Sequence, residues 1–208
     1  MDRFQDRREA GRMLGRRLAE RPRQDAVVLG LPRGGVPVAA EVASILHAPL
    51  DVLVVRKLGA PGHAEFAIGA VGEDGARVLN DDAHLYADEA AIAEKTEREE
   101  AEVERRVVLF REGAPAAALD GRTAIVVDDG VATGATARAG CAIAKARGAA
   151  SVVLAVPVAA PDSLQSIPSD EVVCLSAPAG FMAVGMHYFD FPQTSDAEVV
   201  ALLRAARN

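Results

Sequence analysis

Short continuous apolar runs alternate with helical segments along this 208-residue chain, and this alternation restricts the fold more than any other feature. Continuous apolar runs of four to eight residues are typical of strands that are buried on both faces of a parallel sheet. The predicted strands are 26–30, 50–55, 123–127, 151–158 and 172–175. Because helical segments separate most of these runs, we expect βαβ units and an α/β fold with a central parallel sheet flanked by helices.

Helical spacing of apolar residues predicts the elements between the strands. The predicted helices are 3–20, 36–46, 84–112 and 137–148. The segment 84–112 is long and highly charged, and its Glu and Arg residues recur four apart, which stabilises a helix internally. We expect it to form an exposed arm or a dimer contact. The arginines at 8, 12 and 16 are interpreted as a solvated helix face, and an RNA-binding stripe is the alternative.

Composition limits the class of protein further. Half of the residues are hydrophobic, and the net charge is −7 with a pI of about 5.2, which argues against a nucleic-acid binder. No apolar run is long enough to cross a membrane and the first residues lack a signal peptide, so we expect a cytoplasmic protein without membrane contact. Cys141 and Cys174 have neither metal-ligand spacing nor a disulfide pattern.

We expect one domain over residues 1–208. Its core would span about 24–160, with the inserted helical arm at about 84–112. A small C-terminal hood at about 172–208 would pack with the N-terminal helix.

The segment after the strand 123–127 carries the chemistry. Two adjacent carboxylates, Asp128 and Asp129, are followed by a loop of small residues with Thr133 and Thr136, and a helix comes next. Ligands of open α/β sheets bind at the carboxyl ends of strands, and a helix N-terminus offers unpaired N–H groups to a phosphate. Two acids beside a phosphate-binding loop suit a sugar phosphate. The carboxylates would accept hydrogen bonds from the sugar hydroxyls.

Other phosphate and metal motifs do not fit this segment. The chain has no Gly-Lys-Ser/Thr of a P-loop, no Gly-x-Gly-x-x-Gly of a dinucleotide fold, and no calcium-loop spacing. A strand-to-helix turn with capping acids is the alternative, although capping requires one acid and not two.

The segment resembles the motif that binds 5-phosphoribosyl-1-pyrophosphate (PRPP) in type I phosphoribosyltransferases: a hydrophobic strand, two acids, three variable residues and Thr-Gly-x-Thr. The resemblance implies that Asp128 and Asp129 hold the ribose 2- and 3-hydroxyls. It implies a 5-phosphate site within Ala132–Thr136. The residues expected to bind PRPP are Asp128, Asp129, Gly130, Val131, Ala132, Thr133, Gly134, Ala135 and Thr136. The family uses Mg²⁺ on the pyrophosphate and ribose oxygens, so Mg²⁺ is implied here.

Two further loops resemble landmarks of the same family. Arg33, Gly34 and Gly35 correspond to the pyrophosphate loop, which often contains a non-proline cis peptide. Arg56 and Lys57 resemble a basic segment of adenine phosphoribosyltransferases and could neutralise the leaving pyrophosphate.

The Gly- and Pro-rich stretch 56–75 is predicted to be irregular apart from a short strand at 67–71, and it occupies the position of the family's flexible lid. His63 and Glu65 within it are candidate acid/base groups, and surface residues without such a role are the alternative.

The aromatic tail at 181–191 is similar to the hood of hypoxanthine-guanine enzymes. Phe181 would stack on the acceptor base, and Asp190 would help to bind the metal. Ordinary packing of these aromatics is the alternative. Ala132 stands where hypoxanthine-guanine enzymes usually have an aspartate, which argues against a 6-oxopurine acceptor; adenine and uracil enzymes commonly have Ala there.

The resemblance implies a homodimeric phosphoribosyltransferase of nucleotide salvage that transfers the 5-phosphoribosyl group of PRPP to a nucleobase nitrogen and releases pyrophosphate. A non-catalytic PRPP-sensing regulator is one alternative. A PRPP-dependent enzyme with a non-nucleobase acceptor, such as an amine, is the other.

Overall fold

A central five-stranded parallel sheet forms the centre of the computed structural model, which describes residues 3–60, 63–81 and 83–207, without the side chains of residues 63–67. Its strands are β1 (Ala26–Gly30), β2 (Leu50–Val52), β6 (Thr123–Val127), β7 (Ser151–Val158) and β8 (Glu171–Ser176). They lie in the order β2-β1-β6-β7-β8. The predicted parallel α/β sheet is therefore confirmed, and the order reverses direction between β1 and β6.

A second sheet of three antiparallel strands packs beside the first. Its strands are β3 (Val55–Ala60), β4 (His63–Gly72) and β5 (Arg77–Leu79), in the order β3-β4-β5. The stretch predicted as irregular is therefore mostly a β-hairpin. The predicted second strand also ends early, at Val52, so Arg56 and Lys57 lie within β3 and not at the end of a core strand.

The helices cover both faces of the central sheet. They are α1 (Arg7–Ala19), α2 (Gly35–Leu46), α3 (Glu89–Arg111), α4 (Ala135–Ala146), the short α5 (Pro161–Leu164) and α6 (Asp196–Ala206). One core cluster joins α1, α2 and α6 to one face of the sheet, and a second joins α4 to the other face. Neighbouring residues of β1 point into different clusters, as alternation along a strand requires.

Helix α3 differs from the exposed arm that its charge predicts. It begins at Glu89, after the N-cap Asp88, rather than at residue 84. Its residues Ile92, Val103 and Phe110 are at most 4% exposed and belong to the core of the molecule. The helix packs on β3, β4 and α6, so most of it is a structural layer of the domain.

The C-terminal helix α6 was absent from the helical prediction. A local signal existed, because Ser195 and Glu198 have the spacing of a capping box, and the Ser195 side chain accepts a hydrogen bond from the Glu198 backbone. No helix within the described residues is long and apolar enough to span a bilayer.

Candidate functional site

Two carboxylates stand at the carboxyl end of β6, beside the point where the strand order reverses. Strand β6 is buried up to Val127, and Asp128 and Asp129 follow it at half-buried positions. The backbone N–H of Asp129 donates to Asp128 Oδ1 at 2.9 Å, which fixes the first carboxylate beside the strand end. The acid pair therefore lies where ligands of doubly wound sheets bind.

The surroundings of this acid pair make its ionisation less favourable than it is in water. Burial raises the pKa of Asp128 well above its ordinary value, and the charge of Asp129 raises it further. Burial also raises the pKa of Asp129, while the guanidinium of Arg7 opposes this rise. A ligand that donates hydroxyl hydrogen bonds to these oxygens would favour their charged forms.

The loop after β1 packs directly against the acid pair. Its Leu31 backbone N–H donates to the Val127 carbonyl at 2.9 Å, and the Pro32–Arg33 peptide bond is cis. A Cβ on Gly34 would lie 2.1 Å from Asp129 Oδ2, and one on Gly35 would lie 2.5 Å from the Val127 oxygen. Only glycines allow this close approach. The loop after β1, which carries the glycines, and the loop after β6, which carries the acids, therefore lie against each other.

Arg33 reaches the same end of the sheet from the loop after β1. Its Nη1 lies 3.6 Å from Asp196 Oδ1 at the start of α6, and a third of its side chain is exposed. A pair this long and this exposed holds the guanidinium only weakly. Arg33 therefore remains available to an anionic ligand.

The loop 130–136 is hydrogen-bonded to the end of β7 on one side and exposes two threonines on the other. Val131 exchanges backbone hydrogen bonds with Val158 and Ala160 at the end of β7, at 2.9 and 2.8 Å. Gly134 has a φ of 77°, in the left-handed region that glycine favours, and it caps α4. Thr133 and Thr136 are exposed around this turn. The backbone N–H groups of the first turn of α4 therefore face a site that suits an anion.

The two cations of β3 point to different sides of the hairpin. Arg56 Nε lies 2.9 Å from Glu99 Oε2 on α3. Lys57 instead lines a cavity of about 660 Å³ between the three-stranded sheet and α4, together with Thr133 and Ala135 of the loop. The structure thus brings Lys57 to the loop and commits Arg56 to α3.

The C-terminal segment covers the site from above. The side chain of Val184 packs over Gly130. Phe181 is half-buried, and one face of its ring stacks on His187, with ring centres 5.4 Å apart. Asp190 is exposed and donates its backbone N–H to the Gln5 carbonyl. The predicted hood therefore sits next to the loop 130–136, and the N-terminal segment is paired with it.

Sequence reasoning missed Arg7 and Tyr188, both of which contact Asp129. Arg7 Nε lies 2.8 Å from Asp129 Oδ2, and the Tyr188 hydroxyl donates to the Asp129 carbonyl at 2.6 Å. One local signal marks Arg7, because a cation in the first turn of α1 opposes the helix dipole and needs a partner elsewhere. No comparable signal marks Tyr188.

The predicted acid/base candidates lie in β4, but their side chains are outside the described residues. Their backbone belongs to the antiparallel hairpin with β3. His63 and Glu65 therefore stay predictions.

Comparison with known proteins supports a common family. Residues 5–188 match the model of the family described as phosphoribosyl transferase domain. The chain is 56% identical, over 98% of its length, to proteins named "Putative phosphoribosyl transferase" from two Mycobacterium tuberculosis strains, CDC 1551 and H37Rv. It covers 47% of those proteins, so it spans about half the length of these curated relatives. The crystal structure of the protein TT1426 from Thermus thermophilus is 47% identical, with a TM-score of 0.91 over 97% of both chains.

Proposed function

Since this chain belongs to the phosphoribosyl transferase family, we propose that it transfers the 5-phosphoribosyl group of PRPP to the nitrogen of a nucleobase-like acceptor and releases pyrophosphate. The observation that carries this proposal is the acid pair of Asp128 and Asp129, with Gly34 packed against it and an anion-binding loop leading into α4. This arrangement offers acceptors for two hydroxyls beside a cradle for a phosphate.

The ribose and its 5-phosphate occupy neighbouring parts of the loop in this proposal. Asp128 and Asp129 accept hydrogen bonds from the 2- and 3-hydroxyls. The backbone of Ala132–Thr136 binds the 5-phosphate, where the N-terminus of α4 stabilises negative charge. Lys57 adds a positive charge on the cavity side of this loop.

Pyrophosphate leaves toward the loop after β1. The acceptor nitrogen attacks C1 of the ribose, the C1–oxygen bond breaks, and its electron pair departs with pyrophosphate. Arg33 and the backbone N–H of Gly34 stabilise this growing charge, because they are fixed before the reaction begins; the Gly35 N–H already donates to the Leu31 carbonyl at 3.0 Å. The protein forms no covalent bond to the ribose.

Magnesium would arrive with the substrate. No three His, Cys, Asp or Glu side chains converge to hold a metal in the described part of the chain. This fits Mg²⁺, which binds proteins through one or two carboxylates and takes its other oxygens from phosphates and water. Asp190 in the hood is the proposed protein contact. The ion would neutralise charge on the pyrophosphate.

The acceptor would lie under the hood. Val184 packs over Gly130, and the half-buried ring of Phe181, beside His187, is the proposed aromatic surface for the acceptor. A flat aromatic acceptor suits such a surface. Ala132 supplies no carboxylate for a purine nitrogen, so adenine or a pyrimidine is favoured over a 6-oxopurine. A role in nucleotide salvage and an assembly as a homodimer are proposed with this activity.

The test measures pyrophosphate release from PRPP and Mg²⁺ with adenine, guanine, hypoxanthine, xanthine, uracil and orotate in turn. We expect turnover with one acceptor, and the double variant Asp128→Asn/Asp129→Asn should lose PRPP binding in calorimetry. Asp81→Asn is the matched control, since Asp81 is an exposed acid in a turn. PRPP binding without turnover would favour a sensor or an amine acceptor. Unchanged PRPP affinity in the double variant would contradict the assignment of the ribose site.

A further inference from the structure

Arg7 makes three contacts with two separate parts of the site, the loop after β6 and the C-terminal segment. Its Nε lies 2.8 Å from Asp129 Oδ2, and its Nη1 donates to the Pro192 carbonyl at 2.6 Å. Its guanidinium carbon also lies 3.7 Å from the ring centre of Phe191. A guanidinium that is stacked and bonded on two sides has one orientation, because few rotamers satisfy all three contacts.

This ion pair is largely withdrawn from water. The side chain of Arg7 is 11% exposed and that of Asp129 is 15% exposed. A pair in such a position is screened much less than a surface pair, so its charges act strongly on each other. By contrast, the neighbouring Arg8 is 56% exposed and lies 3.9 Å from Glu41.

Arg7 binds only one of the two carboxylate oxygens of Asp129. The same oxygen, Oδ2, faces Gly34, where a Cβ would lie 2.1 Å from Oδ2 and 3.3 Å from Oδ1. The Tyr188 hydroxyl holds the backbone carbonyl of the same residue at 2.6 Å. Asp129 is therefore held from α1, from the loop after β1 and from the hood, and Oδ1 is the oxygen left for a ligand.

We infer that Arg7 is a positioning residue, which holds Asp129 by Oδ2 so that Oδ1 is aimed at a ribose hydroxyl of PRPP. The inference rests on the proposed function. Arg7 acts through Asp129 and does not itself contact the ribose. The N-terminal helix thereby belongs to the ribose site, although α1 precedes the sheet in sequence.

The charges around Asp129 determine the sign of the pH effect. Asp128 from the same loop and Tyr188 from the hood face it along with Arg7. Burial raises the pKa of Asp129, and Arg7 counteracts this. Without Arg7 the pKa rises further, so PRPP affinity should be lost at a higher pH as the solution is acidified.

The experiment compares wild type with Arg7→Gln, Arg7→Lys and the control Arg8→Gln by calorimetry with PRPP and Mg²⁺ between pH 5.5 and 8.5. We expect Arg7→Gln to weaken PRPP binding about tenfold at pH 7.5, the scale of one charge-assisted hydrogen bond, and more at lower pH. Affinity for pyrophosphate alone should change less than about twofold, because Arg33 and Gly34 bind that group. Arg7→Lys should restore the pH profile, and Arg8→Gln should match wild type.

Separate outcomes distinguish the two proposals. Wild-type protein that does not bind PRPP overturns the proposed function and the ribose role of Arg7 with it. Wild type that binds PRPP, with Arg7→Gln binding equally well or more tightly at every pH, overturns only the positioning role. A titration of the Asp129 carboxyl carbon by NMR, without ligand, should show a higher pKa in Arg7→Gln, and an unchanged pKa overturns the inference. If Arg7→Gln does not fold, Arg7→Met replaces it in the same two measurements, because it removes the charge and keeps an apolar side chain against the Phe191 ring.

Discussion

At Gly34 a single hydrogen in place of a side chain determines whether the loop after β1 can reach the acid pair. The position a Cβ would take is 2.1 Å from Asp129 Oδ2 and 2.7 Å from its carboxyl carbon. Asp129 cannot simply rotate away, because Arg7 holds the same oxygen. A distance below 3.0 Å to a fixed group therefore forces the loop or the carboxylate to move.

Gly34→Ala should weaken PRPP binding and lower the free energy of unfolding by about 1–3 kcal/mol, the usual cost of overpacking. Urea unfolding and calorimetry with PRPP measure the two effects. Gly180→Ala is the control, since no atom lies within 4 Å of its added Cβ. Equal affinity and stability in Gly34→Ala and Gly180→Ala would mean that the two loops do not meet as described.

At the scale of elements, a buried charged cluster ties the hairpin to the central sheet. Arg111 at the end of α3 binds Asp51 of β2 at 2.9 Å and Glu73, after β4, at 2.6 Å. Glu73 also accepts a hydrogen bond from the Val54 backbone, between β2 and β3. All three charged side chains are at most 5% exposed, so this cluster fixes where β3 and β4 leave the core.

Arg111→Met should lower the free energy of unfolding by about 3–5 kcal/mol, because Asp51 would stay buried without a counter-charge and Glu73 would keep only Arg147, at 3.5 Å. Chemical denaturation measures this change. Arg204→Met is the matched control, since it breaks an exposed pair with Glu112, and it should cost about 1 kcal/mol or less. A loss of similar size in the two variants would contradict the structural role of the cluster.

The hairpin itself carries one cation toward each neighbouring helix. Because side chains alternate along β3, Arg56 pairs with Glu99 of α3 and Lys57 lines the cavity beside α4. Arg56 therefore has a structural role, and Lys57, on the opposite face of the strand, has the proposed binding role. We accordingly expect Lys57→Ala to weaken PRPP binding more than Arg56→Ala does, as calorimetry would show. If Arg56→Ala weakened PRPP binding more than Lys57→Ala, Arg56 would be the residue that neutralises the leaving pyrophosphate.

For the whole molecule, a carboxylate that the proposed binding site requires lowers the free energy of unfolding. Asp128 has a raised pKa, chiefly through burial and then through the charge of Asp129. A carboxyl group whose pKa rises on folding makes the folded state less favourable above its unfolded pKa of about 3.9. At low pH, where it is protonated in both states, this cost disappears.

Asp128→Asn should therefore raise the free energy of unfolding at pH 7 while it weakens PRPP binding. The gain over wild type should shrink as the pH falls below about 4, where the carboxyl group is neutral in both states. Urea unfolding between pH 3 and 8 measures this difference, with Asp81→Asn as the exposed control. A variant that is less stable than wild type at pH 7 would contradict the burial cost assigned to Asp128.

Local patterns of residues are enough to predict the central sheet and the loop at its edge. Continuous apolar runs admit few positions other than a sheet that is buried on both faces, and they placed β6 and β7 at their observed bounds. The order of two acids, small residues and a helix start is local, so it could be read before any contact was known. Local patterns do not predict the hairpin, because its glycines and its one proline, Pro61, signal turns, while its pairing depends on register between β3, β4 and β5.

The distant residues that complete the site are brought together by the packing of the folded chain. Arg7 and Asp129 are 122 residues apart, and no spacing in the sequence relates them. Tyr188 reaches the same residue from the C-terminal segment, which pairs with the N-terminal segment through Phe4. Local patterns encode strands, turns and caps, because those depend on neighbours along the chain. The enclosure of Asp129 depends on packing between both ends of the chain, which exists only once the sheet has formed.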